Sequence, residues 1–165
     1  MESLSHYIPH FSSNDIPNFP HEIQENTLSV QSQIFSCLKH DGNLLSYFSE
    51  EIKNNPEMVF TAVAQNGLAL YHASDEVKRN KEIVKIAVSE NGIALKYTDP
   101  LLQDDEEVVL CALEQNGLAL FCASDRLKNM KHMAIKAISK NPDAFYAISK
   151  ELQKDADILA VRKWK

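Results

Sequence analysis

Asn66-Gly67-Leu68-Ala69-Leu70 returns as Asn91-Gly92-Ile93-Ala94-Leu95 and again as Asn116-Gly117-Leu118-Ala119-Leu120, 25 residues later each time. One period back the same positions hold Asp41-Gly42-Asn43-Leu44-Leu45, and one period forward Asn141-Pro142-Asp143-Ala144-Phe145. A fixed period of this length marks small units that cannot bury their apolar faces alone and therefore stack.

Working outward, equivalent positions can be compared from unit to unit. Upstream of the motif, Ile34, Val59, Val84, Val109 and Ala134 share one position, and Leu38, Val63, Val88, Leu113 and Ile138 another. Between them lie Cys37, Ala62, Ala87, Ala112 and Ala137. The offsets i, i+3 and i+4 trace one face of a helix. A small residue at the middle position lets a neighbouring helix come close. Asn55, Asn80, Asp105 and Asp155 precede this first helix as N-caps, with Pro56 where a missing amide costs nothing. Gly67, Gly92 and Gly117 are expected to close it in the left-handed conformation. Pro142 at the same position implies a different closing geometry in its unit.

A second, shorter helix is expected from Leu68 to Ala73 and at its equivalents, burying Leu45, Leu70, Leu95, Leu120 and Phe145 together with Leu44, Ala69, Ala94, Ala119 and Ala144. Ser49, Ser74, Asp99, Ser124 and Ser149 form another cap position, followed in one unit by Pro100. They begin a closing turn that carries Ile52, Val77, Leu102, Leu127 and Leu152 into the core. The chain thus reads as an all-α, solenoid-like stack of about four and a half units, none of them stable alone. The units span 30–54, 55–79, 80–104, 105–129 and 130–154, with a terminal half unit at 155–165. There Arg162 and Lys163 replace alanine and valine and make a polar lid. Residues 1–29, rich in proline and histidine, read as an irregular arm that can lie against the first unit through Phe11, Ile16 and Phe19.

The 165 residues, 44% hydrophobic with a net charge of -6, describe an ordinary globular composition. That acidity argues against a nucleic-acid surface, which needs clustered lysine and arginine. No apolar run approaches the roughly 18 residues that cross a bilayer, and the start lacks the pattern of a cleaved signal peptide. Cys37, Cys111 and Cys122 show no zinc or redox spacing, which favours a reducing compartment.

The pattern Asn/Asp, Val-Val, Ala-Val, Asn-Gly, Ala-Leu, Tyr, Ala-Ser, Leu, as it stands at 80–104 and 105–129, resembles a family of tandem helical repeats. That family is known only as a domain of unknown function (forty-one sixteen). The resemblance covers about 55–154 and implies a fold without catalytic residues. Such repeats occur in bacterial and protist proteins, including effectors delivered into host cells, which implies a cytosolic working place, the host's included.

Candidate chemistry is sparse. Cys122 and His72 invite a thiol mechanism, but they occupy equivalent positions two units apart, with Tyr47, Tyr97 and Ala147 at the others. Such positions in a stack lie well beyond the ~3 Å that a nucleophile and its base need. His132 with Cys111 offers no better pair. Asp104, Asp105, Glu106 and Glu107 lack the spacing of a calcium loop, and the helix dipole accounts for acids at a helix start. Neither catalytic residue, cofactor nor metal is expected. One position does change chemical class from unit to unit while the apolar positions just before it keep theirs: Ser46, Tyr71, Lys96, Phe121, Tyr146. Freedom from inter-unit packing explains that behaviour, and exposed aromatics anchor protein interfaces. Tyr71, Lys96, Phe121 and Tyr146 are therefore the expected partner-binding residues, the alternative being that they pack under the arm or the closing turns. The expected function is a monomeric, non-enzymatic protein-interaction module, a regulator or inhibitor of an effector enzyme or host protein. The alternative is an enzyme with a thiol or histidine site between arm and units. Trp164 is read as an apolar anchor of the lid.

Overall fold

The computed structural model describes residues 30–163. The arm and Trp164 lie outside the described residues. Within them the chain is helical throughout, without strands. Six helices of eight to eleven residues recur at the repeat period: α1 (Val30–His40), α2 (Pro56–Gln65), α3 (Lys81–Glu90), α4 (Glu106–Gln115), α5 (Lys131–Lys140) and α6 (Ala156–Lys163).

After each of α1 to α5 comes a six-residue 3-10 helix: Gly42–Tyr47, Gly67–His72, Gly92–Tyr97, Gly117–Cys122 and Pro142–Ala147. The expected second helix is therefore wound more tightly than an α-helix, so that side chains three apart eclipse one another. A short closing helix or turn completes each unit, as at Glu50–Lys53 and Pro100–Gln103.

Long helices contact long helices in chain order, and 3-10 helices contact 3-10 helices, so two rows run side by side along the stack. Closing turns form a third row. Backbone hydrogen bonds join its members: Ser74 N donates to Lys53 O (3.0 Å), Asp99 N to Lys78 O (3.2 Å) and Ser124 N to Gln103 O (2.9 Å).

The core lies between the rows. Val59, Ala62, Val63, Leu70 and their equivalents Val84, Ala87, Val88 and Leu95 are wholly buried. Met58, Ile83, Val108, Met133 and Ile158 add a buried position that the first-helix periodicity alone did not single out. Leu127 is fully buried in its closing turn, whereas Leu102 and Leu152, expected in the core, are only partly covered.

The caps explain where the elements begin. Asn55, Asn80, Asp105 and Asp155 each accept two amides of the first turn, Asn55 from Glu57 and Met58. Met130 holds the equivalent place before α5 and caps nothing. Ser74, Ser124 and Ser149 accept a closing-turn amide three residues on, and Asp99 one two residues on. Ser49 makes no such bond.

The glycines require a correction. None of the described glycines has φ in the left-handed region. The long helices end instead at an extended residue, such as Asn66 at φ -148°, which doubles as the N-cap of the 3-10 helix and accepts from Leu68 N at 3.0 Å. What glycine supplies is proximity. A Cβ on Gly67 would stand 2.2 Å from the carbonyl oxygen of Ala87 in the next unit, inside any allowed contact. Gly42, Gly92 and Gly117 face Ala62, Ala112 and Ala137 in the same way. The glycine and alanine positions are thus two sides of one seam, where a Cα hydrogen approaches a carbonyl oxygen. Pro142 does not alter the closure, since Asn141 (φ -144°) caps the following segment as Asn66 does.

Candidate functional site

The 3-10 helices set the geometry of the candidate face. In the three middle ones the glycine sits in the seam and two residues, such as Ala69 and Leu70, are buried between the rows, which leaves the position after them exposed. Tyr71 is 58% exposed, Phe121 49% and Tyr146 63%, and Lys96 is exposed as well. Because positions three apart eclipse in a 3-10 helix, Leu68 lies on the side of Tyr71, Ile93 on that of Lys96 and Leu118 on that of Phe121. Leu68 is exposed, and Ile93 and Leu118 are half-buried. Sequence reading did not single out these three; their i, i+3 spacing to Tyr71, Lys96 and Phe121 is the signal that finds them.

Tyr71 is held by its neighbours. Its ring meets His72 edge-on at 4.9 Å and Tyr97 of the next unit at 5.0 Å. Tyr146 is tied to the lid, because the Arg162 guanidinium lies 4.0 Å from the Phe145 ring centre and donates to the Tyr146 hydroxyl at 3.2 Å. The face therefore combines fixed aromatic rings with an exposed lysine.

A second apolar groove of about 450 Å³ opens on the row of long helices, lined by Phe35, Pro56, Phe60 and Ile83 with Glu57 and Glu82 at its rim. Phe60 is 48% exposed there.

The titratable groups considered for chemistry are spent on structure. Burial pushes the Cys122 thiol up, and the charges of Lys96 and Lys128 offset this only in part. Burial likewise raises Cys111, and it drives the wholly enclosed Cys37 up to about 12. Burial, then Lys53 and Lys78, lowers His72, which keeps its imidazole neutral. The acidic run does not converge. Asp104 takes Ser124 and Arg126, Asp105 takes Lys81, Glu106 takes Arg126 with His132 at 3.9 Å, and Glu107 takes Lys81 and Lys85. Among the described residues no group of three or more potential ligands is arranged to hold a metal. None of the described helices is long and apolar enough to cross a membrane.

A stack whose units share one seam and vary one outward position is a tandem helical-repeat protein. The family model described as domain of unknown function (DUF4116) matches three times in overlapping register, at 33–78, 55–103 and 80–128, and the chain belongs to that family. Neither a curated protein nor a solved structure matches the chain.

Proposed function

We propose that the chain is a non-enzymatic protein-interaction module, a regulator or adaptor that covers part of a partner protein through its 3-10 face. The observation that carries this reading is the contrast between adjacent positions. Ala69, Leu70, Ala119 and Leu120 are wholly buried, while Tyr71 and Phe121 stand beside them largely exposed. Aromatic rings with half their surface in water gain by being covered, and with two side-chain torsions each they lose little entropy when that happens. The upward-shifted thiols and neutral His72 weigh against the thiol enzyme, whose nucleophile must be a thiolate. A reducing cytosol, of a host cell where the chain is delivered as an effector, suits the three free cysteines.

Affinity capture of the whole chain from a cytosolic extract, read by mass spectrometry, tests the reading. The expected result is one stoichiometric protein, lost on combined Tyr71→Ala and Phe121→Ala and kept on Phe60→Ala. Capture that survives the double change but fails with Phe60→Ala would transfer the function to the groove on the long helices.

A further inference from the structure

The partner's chemistry can be read from Lys96. Between residues 50 and 140 every other lysine and arginine reaches a carboxylate, from Lys53 with Glu50 to Lys140 with Glu114. Within that span Lys96 has no carboxylate partner among the described residues; its ammonium is 6.0 Å from the Tyr97 ring centre. It sits in the middle 3-10 helix, and that helix contacts the ones carrying Tyr71 and Phe121 on either side. Any surface that covers both aromatics must also take Lys96 out of water. Removing an ammonium from water without a counter-charge costs several kcal/mol, roughly what an interface can least absorb.

We propose that the 3-10 face binds an acidic, extended segment of another protein, whose carboxylate meets Lys96 while apolar side chains on either side rest on Tyr71 with Leu68 and on Phe121 with Leu118. The inference rests on the interaction-module reading and narrows it to one class of partner. Stacked helices are spaced about 8 to 10 Å apart, and an extended chain in the polyproline II conformation advances about 3.1 Å per residue and returns a side chain to the same face every third position. One unit therefore corresponds to about three residues, which sets apolar side chains about three positions before and after the acid, on the same face as it. A polyanion such as RNA is the poorer match, since one lysine framed by apolar groups on a chain of net charge -6 offers it little.

Selection of a random peptide library on the full chain tests this. Expected are peptides with Asp or Glu flanked by apolar residues at that spacing. Their affinity should fall about tenfold or more on Lys96→Glu, the scale of one good charge pair. Selection on the Lys96→Glu protein should enrich Lys or Arg at the same place. Peptides lost on Tyr71→Ala with Phe121→Ala but indifferent to Lys96→Glu would overturn the acidic partner and leave the face standing. Peptides indifferent to all three changes, or no enrichment, would overturn both. A dimer in sedimentation that disappears on the double aromatic change would show a second copy as the occupant and would also overturn the proposal.

Discussion

At the scale of single residues, the glycine of each motif illustrates how a correct position can carry a mistaken reason. Its recurrence before a turn pointed to a left-handed closure, because that is glycine's commonest service at a helix end. The actual demand comes from the Ala87 carbonyl of the next unit, 2.2 Å from where a Gly67 Cβ would be. No local pattern encodes that approach; only the pairing of two positions 20 residues apart does. The readings predict different mutants. Asparagine is tolerated in left-handed backbone, so under the first reading Gly67→Asn would be milder than Gly67→Ala. The seam predicts that both destabilise, Ala by about 1 to 3 kcal/mol as overpacking does and Asn by at least as much, in urea denaturation. A Gly67→Asn protein clearly more stable than Gly67→Ala would refute the seam. The exposure of Tyr71 and Phe121, in contrast, was legible in advance, since a position that changes class while the buried pair before it holds lies outside the shared core, although Tyr71 still meets Tyr97 of the next unit edge-on at 5.0 Å. Leu68, Ile93 and Leu118 were not, because an apolar residue beside the buried Ala-Leu pair reads as core until the row packing shows which side faces water.

At the scale of elements, the charges of the long helices act between helices rather than within them. Lys81 at the start of α3 holds Asp105 and Glu107 at the start of α4, each at 2.8 Å, and Lys131 of α5 holds Asp155 and Asp157 of α6. Arg126 clamps Asp104 and Glu106. The carboxylates respond. Lys81 and Lys85 hold Glu107 below its ordinary 4.5, while Lys131 holds Asp155, and Ser124 with Arg126 holds Asp104, below 3.8. A carboxyl depressed in the folded chain stabilises it at every pH above the unfolded value, and that contribution is lost as pH falls through the folded one. The urea midpoint should therefore stay level near neutrality and drop once pH falls below about 4.5, where unfolded carboxyls begin to take protons. About 1 M salt, which shortens screening to ~3 Å, should lower the neutral midpoint modestly. A midpoint unchanged down to about pH 3 would contradict the pairing. The acid-rich run at Asp104 to Glu107 was visible beforehand, but its partners lie in other units, and lysine spacing alone does not reveal register between helices.

At the scale of the whole molecule, the stack needs an end. α6 presents Arg162 and Lys163 where inner helices have Ala137 and Ile138, both buried. Arg162 spreads over Phe145 at 4.0 Å and covers the last apolar layer with a charge that a further unit could not accept. Restoring the inner pattern by Arg162→Ala with Lys163→Val should leave the helices intact and create an adhesive end, seen as concentration-dependent association in light scattering. A strictly monomeric double variant would mean that other residues seal the stack. The change of character at these two positions was legible in the sequence, because two basic residues at inward positions cannot be buried unpaired. The seam between glycine and alanine carbonyl has one more consequence. Because each of the four glycine-bearing units seats on the next through the same contact, that part of the molecule is graduated like a ruler: excising or duplicating one full 25-residue unit there shifts everything beyond it by a single notch and leaves each seat as it was. Losing a lone residue inside a unit has no such remedy, since it turns a carbonyl out of its glycine and throws the remaining graduations out of line. Reach along a partner is thus a quantity this architecture can change only in whole steps.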